Sequence, residues 1–168
     1  ASAGDTAVVG APNDDEGGTD AGALYVFTMN SQGTWSQRVK VTGPAAGAGY
    51  GSAVAISKLS TGDYRIVAGA PNDLAGKGSA DWFRGAGDTW TTEAAFSGAG
   101  SFGGAVGVSG DRVIIGAYGE GGNDGVARIY EPDPRVTPIP WNETATITDV
   151  LGSGGQLGVS VAIDGDYA

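Results

Sequence analysis

The sequence contains no cysteine and no histidine. Without cysteine there is no disulfide framework, no thiolate nucleophile and no zinc–thiolate site, although this says little about the compartment in which the protein works. Without histidine the commonest general base is also missing. Acid–base catalysis would therefore depend on carboxylates.

Basic residues are scarce. The chain has 9 Lys and Arg against 19 Asp and Glu, which gives a formal net charge of −10. This charge repels nucleic-acid phosphates and anionic membrane surfaces, so we expect no nucleic-acid partner. The sequence also lacks any apolar run near the ~20 residues that a membrane-spanning helix needs. We therefore predict that the protein is not transmembrane.

Glycine is abundant, with 32 in 168 residues. These glycines have no three-residue period and alternate with Val, Ile, Trp and Tyr, which excludes collagen and argues against disorder. Glycine supplies positive φ angles in tight turns and permits close approach of backbones. The composition therefore favours an all-β protein with many short turns.

One short phrase recurs along the chain. It reads VVGAP at residues 8–12, IVAGAP at 66–71 and VIIGAY at 113–118. Alternating apolar runs, typical of strands, begin at three related pairs: Tyr50-Gly51, Phe102-Gly103 and Leu157-Gly158. A Gly-Asp turn leads from each run towards the recurring phrase, and a polar loop and two further strands follow it. The last of these strands carries a tryptophan at one shared position: Trp35, Trp90 and Trp141.

Each unit therefore contains four short antiparallel strands in about 54 residues, which is typical of a β-propeller blade. We predict an all-β fold of about three blades, with units at approximately 1–49 (strands 2–4 of a blade), 50–101, 102–156 and 157–168 (strand 1 of a further blade). The predicted strands are 6–11, 23–28, 35–41, 52–57, 65–70, 80–84, 90–96, 104–109, 112–117, 126–130, 141–147 and 159–164. The Gly-Ala pair should let backbones converge, and the shared tryptophans should fill the outer wedge between blades.

One position on the third strand of each unit, called here the variable slot, holds side chains of different chemistry. Tyr25 is matched by Asp81 and Arg128. Such variation predicts a position that faces solvent or the edge of a neighbouring blade.

Acidic residues follow the recurring phrase, most densely in the first copy, at Asn13, Asp14, Asp15, Glu16 and Asp20. Oxygen ligands at short spacing suit calcium, although the spacing matches no EF-hand loop. The alternative is that Asn and Asp form Asx turns here. We keep both a calcium site and a purely structural loop as hypotheses.

The alternation of aromatic-Gly and Gly-Ala-Pro resembles the FG-GAP repeats of the integrin α-subunit propeller, and more closely those of bacterial and algal extracellular FG-GAP repeat proteins. The resemblance extends over nearly all of the chain. It implies a β-propeller at an extracellular or cell-surface location, in a family of adhesion and surface-binding proteins with some lectins. The integrin-type calcium loop, which would precede the Gly-Ala-Pro strand, is replaced here by short turns such as VSGD and IDGD.

Two further features have open interpretations. The proline-rich stretch from Glu131 to Pro140 is either a partner contact or a plain surface loop. Asn142 begins a glycosylation sequon, which is meaningful only in a secreted eukaryotic protein and is otherwise chance.

We predict that the protein is not an enzyme. Paired carboxylates could do acid–base chemistry, but every acidic cluster lies in a repeated turn, where a structural role already accounts for it. The preferred hypothesis is an extracellular adhesion or surface-assembly module with a protein ligand. The alternative is a glycan-binding lectin, for which Tyr50, Trp82 and Tyr118 are candidates on exposed loops. A weaker alternative is an accessory propeller of a larger enzyme.

The phase of the repeat also suggests self-association. The run 159–164 corresponds to the first strand of a blade, whereas the run 6–11 corresponds to the second. A second copy could complete that blade, giving a two-fold ring, or the chain could be part of a longer protein. Both remain expectations.

Overall fold

The computed structural model describes residues 1–136, 138–149 and 154–168. The described chain contains three four-stranded antiparallel sheets that do not close into a barrel. Blade 1 consists of β1 (Ser2–Ala3), β2 (Thr6–Ala11), β3 (Ala23–Met29) and β4 (Trp35–Thr42). Blade 2 consists of β5 (Ala53–Lys58), β6 (Tyr64–Ala70), β7 (Ser79–Ala86) and β8 (Thr89–Ser97). Blade 3 consists of β9 (Ala105–Ser109), β10 (Arg112–Ala117), β11 (Val126–Pro132) and β12 (Trp141–Thr148).

The sheets confirm the predicted all-β fold with about three blades, and eleven of the twelve predicted strands are present within two residues at either end. The prediction for 159–164 is wrong. That segment contains no ladder, and its Asp164 makes only an isolated bridge to Tyr167. A run of alternating apolar residues becomes a strand only where a neighbouring strand satisfies its backbone groups. No strand in the described chain pairs with this run.

The recurring Gly-Ala pair brings the backbones of successive blades into contact. A Cβ atom on Gly10 would lie 1.8 Å from the carbonyl oxygen of Gly51, and one on Gly69 would lie 1.9 Å from that of Gly103. The third copy repeats this geometry between Gly116 and Gly158, at 1.9 Å. No other residue type fits at such distances. The predicted convergence of backbones is therefore confirmed, and it occurs between one blade and the start of the next unit.

Two hydrophobic cores lie between the blades. The core between blades 1 and 2 is mainly aliphatic and includes Val8, Leu24, Val26, Tyr50, Ile66, Ala68 and Phe83. The core between blades 2 and 3 is rich in aromatic rings and includes Val67, Trp82, Phe102, Ile115, Tyr130 and Trp141. Neighbouring blades therefore bury their facing surfaces against each other, as blades that cannot bury both faces alone require.

The shared tryptophans differ in burial. Trp141 is 8% exposed in the core between blades 2 and 3, and Trp90 packs beside the core between blades 1 and 2. Trp35 is 44% exposed, so the prediction that all three fill a wedge is wrong for this residue. The tryptophan at this repeat position faces the preceding blade. Trp35 is exposed because no blade in the described chain covers that face of blade 1.

The loops after the second strands of blades 2 and 3 each contain one short turn, α1 (Asp73–Gly76) and α2 (Glu120–Asn123). The two central residues of each turn have positive φ, for example 52° at Leu74 and 59° at Ala75. These turns are therefore not regular helix. No helix in the described residues is long and apolar enough to cross a membrane.

Candidate functional site

A cleft of about 660 Å³ opens between blades 2 and 3. It lies at the end of the blades where the second strands begin, because Arg65 is the second residue of β6 and Arg112 is the first residue of β10. Its lining comprises Arg65, Arg84, Glu93, Ser109, Asp111, Arg112, Glu131, Pro132, Pro134, Ile139, Trp141 and Gly165. We call this feature the inter-blade cleft.

The floor of the inter-blade cleft is built around Arg65, which is 3% exposed. Its guanidinium lies 4.7 Å from the ring centre of Trp141 and donates hydrogen bonds to Glu93 at 2.6 and 3.1 Å. It also reaches Asp111 of blade 3 at 2.9 Å. Burial alone would lower the pKa of Arg65, but these carboxylates outweigh it and raise the pKa above its ordinary value. Arg65 therefore joins the two blades as a permanently charged bridge.

Arg112 occupies the same repeat position in blade 3 and forms one side of the cleft. It pairs with Glu131 and Asp166, and it donates to the carbonyl oxygen of Gly165 at 2.9 Å. These bonds link blade 3 to the segment that follows it, just as Arg65 links blade 2 to blade 3. Each carboxylate of the cleft lining is thus already paired with an arginine: Glu93 and Asp111 with Arg65, and Glu131 with Arg112.

The other side of the cleft is apolar and comes from the proline-rich loop. Pro132, Pro134 and Ile139 contribute to the lining, and Ile139 is 54% exposed. Val136, in the same loop, is 47% exposed. Large apolar side chains at this exposure beside a concave surface are typical of contact sites for other molecules.

The first acidic loop is organised around Lys40. Asp14 accepts hydrogen bonds from the Tyr25 hydroxyl at 2.6 Å and from Lys40 at 2.9 Å, and Glu16 pairs with the same ammonium group. The Tyr25 hydroxyl and then Lys40 lower the pKa of Asp14 to about 2. The loop therefore already contains its own cation.

The other members of the predicted calcium loop have local roles. Asp15 accepts the backbone amide of Asp20 at 2.9 Å, which is the geometry of a structural turn. Asn13 is exposed on the same loop. Across the described residues, no three or more acidic side chains are grouped to hold a metal ion. Calcium binding by this loop stays a prediction.

Two of the three aromatic residues predicted to bind glycans lie in the core, which corrects the expectation that they are exposed. Tyr50 is 2% exposed because Gly22 of blade 1 bridges to its backbone and blade 1 covers its ring. Trp82 is fully buried and stacks on Phe96 at 4.9 Å. Tyr118 is half-buried beside Gly104, outside the cleft lining.

The slot of Tyr25, Asp81 and Arg128 was predicted to face solvent or a blade edge. All three side chains are half-buried and lie beside the acidic loop of their own blade. Asn142 is exposed on β12, and its glycosylation stays a prediction.

Sequence reasoning did not find the inter-blade cleft. A signal was present, because Arg65 and Arg112 place a charge at one repeat position at the start of an otherwise apolar strand. The partners of Arg65 come from β8 and from the turn before β10, so its pairing becomes visible only in the folded chain.

Comparison with known families concerns the first part of the chain. Residues 1–27 match the family model of the FG-GAP repeat, a stretch that covers β1, β2, the first acidic loop and most of β3. A search of the curated proteins found no match to this chain. Residues 1–27 are thus similar to an FG-GAP repeat, and the three four-stranded sheets are consistent with propeller blades.

Proposed function

We propose that the protein is a non-catalytic extracellular binding module that holds a protein ligand in the inter-blade cleft. The observation that carries the proposal is the exposed apolar loop beside this cleft, with Val136 and Ile139 about half exposed. An FG-GAP repeat supports the extracellular location, since such repeats are typically extracellular.

The chemistry of the cleft favours a polypeptide over a glycan. A peptide chain can place apolar side chains against Ile139 and the prolines, while its carbonyl groups accept hydrogen bonds from Arg84 and Arg112 at the rim. Sugar rings usually stack on an open aromatic face. The aromatic ring of the cleft lining belongs to Trp141, which is 8% exposed and covered by Arg65.

Rigidity of the floor also supports binding. Arg65, Glu93 and Trp141 are fixed by ion pairs and ring contacts before any ligand arrives. A preorganised site spends less free energy on ordering its side chains during binding.

The test is a selection of peptides from a random displayed library against the purified protein, with a glycan array run in parallel. We expect selected peptides to compete for one site and to lose about tenfold or more in affinity against Ile139→Asp, because the change puts a charge into the apolar contact. Leu74→Asp is the matched control, since Leu74 is 53% exposed at the opposite end of blade 2.

Peptides that bind Ile139→Asp as well as the unchanged protein would refute the cleft as the site. Glycan binding that survives the same substitution, without peptide binding, would favour the lectin alternative.

A further inference from the structure

The segment 157–168 lies against blade 3 in the way that a first strand lies against the blade before it. Leu157 makes a parallel bridge to Gly125 of blade 3, and the Gly165 amide donates to the Ser109 hydroxyl at 3.0 Å. The residues before β5 and β9 make the same bridge to blades 1 and 2, and the turn after β9 makes the same amide-to-serine bond to blade 2 at 3.1 Å. The segment is therefore held at both ends in the place of a first strand.

The segment has no second strand beside it, and its Gly158 shows the consequence. β5 pairs with β6 and β9 with β10, whereas no strand in the described chain pairs with residues 159–163. The equivalent glycines, Gly51 and Gly103, donate their amides to a carbonyl oxygen of the second strand at 2.9 and 3.0 Å. Gly158 is buried, yet its amide has no acceptor among the described residues. A buried amide without an acceptor is rare and costs free energy, so this amide indicates a place for a further strand.

Blade 1 presents the complementary edge. Its first strand, β1, has two residues and pairs only with the start of β2. Beyond that ladder, Val8 exchanges both of its backbone bonds with Ala1, at 2.9 and 3.0 Å. Alternate residues of a strand direct their backbone groups to the same side, so Gly10 directs its carbonyl oxygen to this edge, where no residue of the described chain pairs with it. Gly10 is the repeat equivalent of Gly69 and Gly116, whose carbonyl groups accept the amides in the other two units.

The apolar side chains beside these two edges are more exposed than their equivalents inside the chain. Val9 of blade 1 is 50% exposed, whereas Ile115 at the same repeat position is fully buried against blade 2. On the far face of blade 3, Ile129 is half-buried, whereas Trp82 at the same repeat position is fully buried against blade 3. A groove of about 320 Å³ beside the segment is lined in part by Ile129 and Ile163. Each open face is thus the kind of surface that another blade covers in the two cores.

We propose that this place is taken by β2 of a second copy of the chain, and that the two copies dock through two identical junctions. In each junction the segment 159–164 of one copy pairs with Thr6–Ala11 of the other, and the Gly158 amide donates to the carbonyl oxygen of Gly10. Addition of a strand to an exposed edge is a common mode of protein recognition. Because each copy presents both surfaces, a two-fold axis closes the pair.

The register of the junction follows from the internal blades. In blade 2 the residue two places after the opening glycine pairs with the glycine of the second strand, Ala53 with Gly69, and blade 3 repeats this offset. The same offset pairs Ser160 of one copy with Gly10 of the other. It directs the Ser160 amide, which has no acceptor among the described residues, towards β2 of the second copy.

A second copy fits this place better than an unrelated strand, because one association covers both open surfaces. It buries Val9 and Trp35 of blade 1 against the open face of blade 3, as Trp141 is buried against blade 2. It displaces β1 from β2, a ladder of two residue pairs, and the bridge between Asp164 and Tyr167. A ladder of five residue pairs, as between β9 and β10, replaces them.

The first test is analytical ultracentrifugation of the 168-residue chain over a range of concentrations. We expect a concentration-dependent species of twice the 16.6 kDa chain mass. Val9→Asp should weaken this association at least about tenfold, because it puts a charge into the apolar junction. Val136→Asp is the matched control and should leave the association unchanged, since Val136 is 47% exposed in the proline-rich loop.

The second test distinguishes this junction from any other contact between copies. Ser160→Pro removes an amide that the junction uses and that makes no bond in the described chain, so the variant should fold but stay monomeric. Mixed with Val9→Asp, it should associate again, because the intact segment of Val9→Asp meets the intact β2 of Ser160→Pro. The mixture can form one of the two junctions, so it should associate more weakly than the unchanged chain.

Salt concentration gives a third measurement. The net charge of −10 on each copy opposes association, which should therefore strengthen as salt rises. Association that weakens with salt would overturn the proposal, because ion pairs would then hold the copies together.

The proposal is also overturned by a chain that keeps the monomer mass up to about 1 mM. Association that survives Val9→Asp, or a mixture of the two variants that stays monomeric, has the same meaning. Circular dichroism establishes that each variant is folded before its mass is compared.

Discussion

The two interfaces between blades share a backbone arrangement but treat buried charge in opposite ways. In the interface between blades 2 and 3, Arg65 is held by Glu93 and Asp111 over the ring of Trp141. In the interface between blades 1 and 2, burial and then the negative charge of Asp73 raise the pKa of Asp81 to about 6. Buried charges are stable only when paired. The difference indicates that the interface between blades 2 and 3 compensates its buried charge with ion pairs, whereas the interface between blades 1 and 2 leaves the charge of Asp81 without a cation among the described residues.

The shared backbone arrangement can be broken directly. Gly69→Ala should cost about 4 kcal/mol of unfolding free energy or prevent folding, because the new Cβ would lie 1.9 Å from the Gly103 carbonyl oxygen. Gly119→Ala is the control, since its Cβ would meet backbone atoms only at 3.3 Å. We expect it to cost less than about 1 kcal/mol in denaturant unfolding. Similar losses for the two variants would contradict the close contact between blades.

Removing the buried ion pairs of Arg65, between blades 2 and 3, should cause the next largest loss of stability. Arg65→Ala should cost about 3 kcal/mol, because it leaves Glu93 half-buried without its cation and uncovers Trp141. Arg112→Ala removes the arginine at the same repeat position, where the side chain is 37% exposed. Ion pairs at that exposure contribute at most about 1 kcal/mol. Chemical denaturation compares the two, and an equal loss would mean that Arg65 is not a special bridge.

Removing the unpaired charge of Asp81, between blades 1 and 2, should have the smallest effect on the free energy of unfolding. Unlike the other substitutions, it should stabilise the protein. Asp81→Asn should stabilise the protein by roughly 2 kcal/mol at pH 8, since a pKa raised from 3.8 to about 6 marks a carboxylate that is costly to ionise. A raised carboxyl pKa destabilises the folded state above the folded value of about 6 and not below the unfolded value of 3.8. The gain should therefore shrink from pH 7 downward and vanish near pH 4.

Asp14→Asn should show the opposite pH dependence to Asp81→Asn. The pKa of Asp14 is lowered to about 2, so its contribution is favourable at neutral pH and is lost as pH falls from 3.8 through 2. As the pH falls, the two variants should therefore approach the stability of the unchanged protein from opposite sides, Asp81→Asn from above between about pH 7 and 4 and Asp14→Asn from below as the pH falls from 3.8 through 2. A destabilising Asp81→Asn at pH 8 would contradict the uncompensated pair.

Backbone features were predictable from the sequence because the repeat encodes them locally. Alternating runs located eleven strands, and the Gly-Ala pair predicted the close approach of backbones. The run 159–164 failed because a strand depends on a pairing partner that periodicity does not reveal. Residues 150–153 of the third predicted unit lie outside the described residues.

Side-chain environments were less predictable, because they depend on which blade face each residue meets. Tyr50 and Trp82 had the residue types of a glycan site but lie in the two cores. Trp35 shares a slot with Trp141 yet differs in exposure, since a neighbouring blade covers only the second. The slot of Tyr25, Asp81 and Arg128 was noticed as variable, but its pairing with the acidic loop required the fold.

The glycine contacts also define how such a chain can grow. Each contact joins the second strand of one unit to the opening pair of the next, as Gly10 meets Gly51, Gly69 meets Gly103 and Gly116 meets Gly158. Every junction therefore has the same backbone connector, whatever side chains surround it. Duplicating a whole unit creates a junction that already fits, because each unit contains both an opening Gly and a second-strand Gly. Recombination that duplicates whole units thus preserves the backbone frame and leaves the side chains of each interface free to diverge.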